Sequence, residues 1–300
     1  MSKKIVIHIA TKNRATELAL LLQSLRTQTF QDFNIVILSD ACQVPLTNFY
    51  FVNYIINRLK LEGHNVTMLT NQISVGVSGA RQQIVDYTMK HGKEELICRI
   101  DDDSIIEANY LEKLLEGINE GYDLMSGVVP NLVGPNVIRD TEFVEPIIGE
   151  CRLNNKGELI INMDDCGYQF IEEKILPTHH FRSSCLYKRK LHERGVDYKS
   201  RLSKNGFREE QLFSFKAILK GFKLGVHTGA VNFHLNCPSG GERDTMNFQT
   251  FNQEQFEDAT KKMFEEHGDF LKEYNRIHEI EEREYHEDEL TKVTNLVSKK

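Results

Sequence analysis

Leu96-Ile97-Cys98-Arg99-Ile100-Asp101-Asp102-Asp103-Ser104 decides how this chain is read. Leu96, Ile97, Cys98 and Ile100 read as a short buried strand, and a helical pattern begins near Ala108. Three consecutive carboxylates therefore stand where a strand leaves its sheet, the edge at which open α/β folds bind ligands. Ionised neighbours repel one another, and a divalent cation shared with an anionic ligand such as a diphosphate would relieve them. A structural role is also open, with Asp103 or Ser104 capping the next helix and the other acids in solvated loop.

Upstream, Ile5 to Ala10 is an apolar, β-branched run stopped by Thr11-Lys12-Asn13-Arg14. Leu18, Leu21, Leu22 and Leu25 recur at helical spacing, with Thr16 as a cap, and Phe33 to Leu38 forms a second strand ending in Ser39-Asp40. Strand, helix, strand predicts a βαβ unit with a parallel sheet, which brings Thr11 and Asp40 to one edge. Tyr54, Ile55, Leu59 and Leu61 predict another helix, and Val66 to Leu69 a third strand. Gly76 and Gly79 then precede a helix over Gln82 to Met89 without the spacing of a dinucleotide fingerprint. They suit turn chemistry or the close approach of a ligand, and Arg81 is placed to pair with a phosphate or with an acid of the triple-Asp loop.

Downstream, Leu111, Leu114, Leu115 and Ile118 give a helix ended by Gly121, and Leu124 to Val129 a strand. Residues 130–177 are broken by Pro130, Pro135, Pro146 and Pro177, with Glu158 to Met163 the one firm strand, a pattern that suits a binding surface. His179-His180 is open to a structural or a ligating role. Ser184 to Tyr187 reads as a strand and Leu191 to Arg194 as a short helix. Gly206 to Gln211 leads into a helix over Leu212 to Leu219, where Glu209 and Glu210 would also favour the helix dipole. Phe222 to Val226 and Ala230 to Phe233 read as two strands, with His234 after them. From Gln253 on, Phe256, Met263, Phe270, Tyr274 and Ile277 fall near heptad spacing interrupted by Gly268, which predicts two packed helices and a charged tail from Glu279 to Lys300.

Three hundred residues with 40% hydrophobic and 27% charged content suit one large core with a small appendage. A formal charge of −7 argues against a phosphate-backbone binder, so no nucleic-acid partner is expected. Cys42, Cys98, Cys151, Cys166, Cys185 and Cys237 form no CxxC pair, which suits reduced thiols in a cytoplasm. Neither a signal peptide nor a transmembrane segment is expected.

Five blocks in order resemble the family-two glycosyltransferases. Ile5 to Arg14 resembles the opening strand and its Pro-Thr-Tyr-Asn-Arg turn. Ser24 to Phe30 with Phe33 to Asp40 resembles the "SLxxQTYxxFEIIVVDD" block, and Gly76-Val-Ser-Gly79-Ala80-Arg81 the "GxxxAR" block. Arg99 to Leu111 is similar to "FLDADDIIEPNYL", making Asp101 and Asp103 the DxD pair. Arg208-Glu209-Glu210 with Leu212 resembles "GED", and His234 falls at the terminal His of many members. Ala10, Lys12, Ser39 and Glu210 depart from the pattern, standing where the family has Pro, Tyr, Asp and Asp.

The resemblance implies a GT-A, Rossmann-like fold: a mixed, mostly parallel sheet flanked by helices, with a C-terminal helical extension. Residues 1–235 would be the transferase domain, 1–129 its nucleotide-sugar half and 130–235 its acceptor half, with 236–300 the extension. It implies a nucleotide-sugar donor, with Thr11, Asn13, Arg14, Asp40, Arg81, Asp101 and Asp102 on the donor side. Thr11 and Asp40 would border the base, a carboxylate there favouring uracil and hence a UDP-sugar, and Asp101 would face the ribose. Asp103 and His234 would hold Mn²⁺ or Mg²⁺, the imidazole favouring Mn²⁺. Glu210 would act as general base on a hydroxyl of a glycan, lipid-linked or protein acceptor, with inversion in a single displacement; Asp164, Asp165 and His180 are the next candidates. Self-association would run through the C-terminal helices. Two other readings are a nucleotidyltransferase, which would release pyrophosphate, and a non-catalytic glycan-binding relative, which would turn nothing over.

Overall fold

The computed structural model describes residues 4–130, 132, 138–139, 147–153, 159–162, 167, 169–242, 247–267, 271 and 274. The opening half alternates as read: β1 (Ile5–Thr11), α1 (Ala15–Arg26), β2 (Phe33–Asp40), α2 (Tyr50–Leu61), β3 (Val66–Asn71), α3 (Gly76–His91) and β4 (Leu96–Arg99). Then come β5 (Ser104–Ile106), α4 (Tyr110–Asn119) and β6 (Leu124–Val128). The irregular region holds short pieces, β7 (Ile138–Arg139), β8 (Cys151–Leu153), β9 (Leu159–Ile161), β10 (Gln169–Phe170) and β11 (Ile175–Pro177). β12 (Cys185–Lys188), α5 (Lys190–Glu193), α6 (Glu209–Leu219), β13 (Leu224–His234) and α7 (Asn247–His267) follow.

The main sheet runs β11-β13-β6-β12-β4-β1-β2-β3, with β5 attached to β13. β4, β1, β2 and β3 are parallel, and β12 enters antiparallel between β4 and β6. Alternation along the strands feeds two cores. Ile5, Ile7 and Ile9 join Leu18, Leu21, Leu22 and Leu25 of α1 and the α4 leucines on one face. Val6, Val36 and Leu38 join Ile84 of α3, Phe215 of α6 and Phe256 of α7 on the other. With both faces covered by helices, the strands read as continuous apolar runs, which is why they were legible.

Several local expectations are corrected. Thr16 does not cap α1: Arg14 precedes its first residue and no side chain caps it. Of the residues that predict α2, Leu59 is buried and Ile55 packs against the core, but Tyr54 and Leu61 are 68% and 82% exposed, and Val52 and Ile56 complete the buried face. Nor do Asp103 and Ser104 cap α4, because β5 intervenes and Asn109 occupies the cap. The two expected strands at 222–233 are one, β13, whose pairing with β6 shifts register between His227 and Val231. Helix α3 begins at Gly76, not Gln82; Gly76 holds φ +76, and a Cβ there would stand 2.7 Å from the Lys204 Cα. Phe270, Ile277 and the tail from Glu279 lie outside the described residues, whereas Tyr274 is buried and its hydroxyl donates to the Leu224 and Thr178 carbonyls.

Two buried imidazoles predict acid lability. His8 on β1 bonds the Thr88 hydroxyl at 2.8 Å, and burial, with His192 adding to it, lowers its pKa to about 3. Burial likewise lowers His192 to about 4. Both stay neutral in the fold but take up protons once unfolded below their ordinary 6.5. Their contribution is therefore complete above that value and is lost as pH falls towards the folded pKa values. Between about pH 7 and about pH 5.5 the loss is on the order of 2 kcal/mol for the two together. Urea midpoints across this range should show it, and His8→Gln should flatten the slope by about half; an unchanged slope would assign the effect to other groups.

Candidate active site

The carboxyl ends of β1, β2 and β4, the start of α3, the start of α6 and the end of β13 surround one cleft of about 440 Å³. Thr11, Arg14, Asp40, Arg81, Asp101, Asp102, Asp103, Glu210 and His234 all line it. Asn13 stands beside them, its N–H on the Cys42 sulfur at 3.2 Å. The structure thus brings together the residues singled out in the sequence, except Asp164 and Asp165, which lie outside the described residues. His180 is fully buried, its Nε2 on the Asn162 carbonyl at 3.0 Å, and His179 bonds the Cys151 backbone, so both belong to the packing.

The three acids do different things. Asp101 pairs with Arg81 at 2.7 Å, one of the two partners open to that arginine. Asp102 and Asp103 share Arg14, at 2.9 and 3.0 Å. Burial pushes Asp102 up to about 6, against the pull of Arg14. β5 pairs with β13 so that Ser104 faces His234, and the Leu235 N–H donates to the Asp103 carbonyl. This ladder brings the His234 Nε2 to 3.2 Å from Asp103 and 3.8 Å from Asp101.

Asp101, Asp103 and His234 therefore offer ligand atoms all within 4.8 Å of one another. Two carboxylates and an imidazole on rigid strand ends fit Mn²⁺, and the oxygens also suit Mg²⁺. The His234 Nδ1 accepts the Asn236 N–H at 3.0 Å, which leaves the ring proton on Nε2, facing Asp103. Ligation through Nε2 thus requires the proton to move to Nδ1 and the Asn236 bond to give way. Asp101, read as a ribose contact, is also a member of this group.

Asp40 is more engaged than a base-reading carboxylate need be. It accepts from Asn71 (2.8 Å), Ser74 (2.6 Å) and the N–H groups of Val75 and Gly76 (3.2 and 3.3 Å), tying β2 to the start of α3. Glu242, from the loop after β13, reaches back to Ser74 and to Lys12. Gly240 makes that approach possible, since a Cβ on it would stand 2.5 Å from the Arg14 Cγ.

Sequence reading missed Arg99. It lies at the end of β4, 3% exposed in its side chain, with Glu209 at 2.8 Å, Glu210 at 2.9 Å and Asp101 at 3.6 Å. Burial disfavours its charge, yet Glu209, Glu210 and Asp101 together raise its pKa well above the ordinary value. Glu209, in the wall of the cleft, also contacts Arg81 and is 3% exposed in its side chain, while burial pushes its carboxyl up against the pull of Arg99. The one signal was a charged residue inside an apolar strand run. The outliers of the backbone were equally silent: Asn13, Ala41, Ser183, Arg208 and Asn236 have positive φ, and each lines the cleft or adjoins a residue that does. Such strain gathers where a surrounding structure over-determines a functional site.

Solved structures share this fold. Residues 1–349 of S. aureus TarS superpose with a TM-score of 0.53 at 17% identity, over 77% of this chain and 60% of that one. GalNAc-T7 with UDP, GalNAc and Mn²⁺ superposes with a TM-score of 0.59 at 13% identity, over 81% and 45%. TarS 1–349 in complex with UDP gives 0.52 at 16%, over 78% and 61%. The chain thus spans less than two thirds of these relatives. No curated protein matches it in sequence. The model of glycosyl transferase family 2 matches residues 6–194, more than half of the chain and the whole run from β1 through α5, and on that match the chain belongs to glycosyl transferase family 2.

Proposed function

We propose that the chain is an inverting glycosyltransferase that moves a sugar from a UDP-sugar to a hydroxyl of a glycan, lipid-linked or protein acceptor in glycan or polysaccharide synthesis. The observation that carries this reading is the meeting of the Asp101–Asp103–His234 group and the Glu210 carboxylate in one cleft of a family-two chain. UDP in the TarS structure and UDP with Mn²⁺ in that of GalNAc-T7 support the donor class and the cation. On this reading residues 1–235 are the transferase unit, with the nucleotide-sugar half at 1–129, the acceptor half at 130–235 and a helical extension beyond. No helix among the described residues is long and apolar enough to cross a membrane, and the described cysteines are free thiols, which suits the cytoplasm.

The chemistry follows from the side chains. Arg14 holds Asp102 and Asp103 in place, and Arg81, in the second turn of α3, adds positive charge beside a diphosphate. Asp103 and His234 would hold a divalent cation, which would supply charge neutralisation to a leaving diphosphate. Glu210 removes the proton of the acceptor hydroxyl as its oxygen forms the new bond to the anomeric carbon and the bond to the diphosphate breaks. Attack opposite the leaving group inverts that carbon.

Titration of UDP with and without Mn²⁺, for the parent and Asp103→Ala, tests this. Affinity in the parent should rise roughly tenfold or more with Mn²⁺, and the variant should lose that gain. Equal affinities in all four cases would remove the cation from the reading, stronger binding of GDP would overturn the uracil assignment, and release of pyrophosphate would favour nucleotidyl transfer.

A further inference from the structure

On the acceptor side of the cleft two arginines, Arg182 and Arg208, have no ion-paired carboxylate among the described residues. Lys12 pairs with Glu242, Arg14 with Asp102 and Asp103, and Arg81 with Asp101 and Glu209, so the donor-side cations are neutralised by lining acids. Arg208 donates to the neutral Gln253 at 2.9 Å and lies 4.7 Å above the Phe207 ring. Arg182 lines the same cleft, and among the described residues no carboxylate lies within ion-pair distance of its guanidinium. Its Nη1 passes so close to Gly167 that a Cβ there would stand 3.1 Å away. The residue that follows it, Ser183, has φ +63, so the chain is held in a strained turn just where this side chain departs.

The position is informative. β12 runs antiparallel to β4 with Cys185 opposite Arg99, so Arg182 emerges at the sheet edge that carries Asp101. Glu210 reaches the same cleft from α6, bonded through Oε1 to that same Arg99. A guanidinium with no counter-charge among the described residues, in an acid-rich cleft, is a recognition element for a carboxylate or phosphate, which it binds as a planar fork.

We propose that the acceptor is anionic, carrying a phosphate or carboxylate that Arg182 holds while a neighbouring hydroxyl faces Glu210. This rests on the transfer reading above but is tested by binding, which needs no turnover. Calorimetric titrations into the full chain loaded with Mn²⁺ and UDP would use glycerol 3-phosphate against glycerol, and glucuronate against glucose. The anionic member of at least one pair should bind roughly tenfold or more tightly than its neutral counterpart, and the responding pair separates phosphate from carboxylate. Arg182→Met should erase that preference with the affinity for UDP unchanged, whereas Arg182→Lys, which keeps the charge, should retain part of it. Equal binding of anionic and neutral members, or a preference that survives in Arg182→Met, overturns the proposal. A fall in UDP affinity in Arg182→Met overturns it too, by assigning Arg182 to the donor diphosphate. Anion preference in a chain that processes no nucleotide sugar would unseat the transfer reading and leave the anion site standing.

Discussion

Glu210→Gln should lower turnover roughly 10²–10⁴-fold while leaving the affinity for UDP-sugar nearly unchanged. The substitution preserves shape and removes the group proposed to take the acceptor proton. The structure gives a physical reason to favour this acid over its neighbour. Both acids line the cleft, but Glu209 is 3% exposed in its side chain and held by Arg81 and Arg99, whereas Glu210 is 21% exposed and held by Arg99 alone. Successive helix residues point about 100° apart, so Glu209 is drawn between two guanidiniums while Glu210, touching Arg99 alone, is the more open of the two to the cleft. Steady-state kinetics with UDP release as readout, alongside UDP-sugar titration, would check it. A larger fall in kcat for a folded Glu209→Gln would move the base by one residue.

Arg99→Met should destabilise the fold by roughly 3–5 kcal/mol, the loss associated with stranding buried partners of an ion pair. Methionine fills much of the space but leaves Asp101, Glu209 and Glu210 with Arg81 as the guanidinium still in contact with Asp101 and Glu209. It also removes the guanidinium that lies 5.1 Å above Phe181 and 5.8 Å from the Tyr198 ring. The melting temperature should fall on the order of 10 °C. The sign of the pH effect is distinctive: stranded carboxylates take up protons in the folded variant, so its deficit relative to the parent should shrink as pH is lowered. Thermal melts at two pH values would show it, and a deficit below about 1 kcal/mol would mean that Arg81 alone neutralises the cluster.

The parallel half of the fold was legible because its strands bury both faces and its helices keep an apolar stripe. Ile5 to Ala10, Phe33 to Leu38 and Leu96 to Ile100 announce themselves through burial alone. The strand-end acids were legible for a related reason, since Asp101 to Asp103 interrupt such a run. Arg99 was not, because what stabilises it comes from Glu209 and Glu210 on a helix more than a hundred residues away, and no local period reports a distant counter-charge. β5 was hidden for want of length: three residues pair only because β13 continues past its irregularity to meet them. Asp40 stands at the expected edge of the cleft, but that its oxygens also tie β2 to α3 was not legible, because the groups it accepts from come from another element.

β13 is the last-made strand of the main sheet yet lies inside it, between β6 and β11. During synthesis the segment through α5 leaves the ribosome while β6 still exposes the backbone edge that β13 will cover. Such a sheet closes late and through pairings far apart in sequence, which slows folding and leaves an adhesive edge open meanwhile. The same delay acts on the cleft, because His234 joins Asp101 and Asp103 only when β13 has docked. Before that docking the three side chains are not assembled, and their meeting arises together with closure of the sheet.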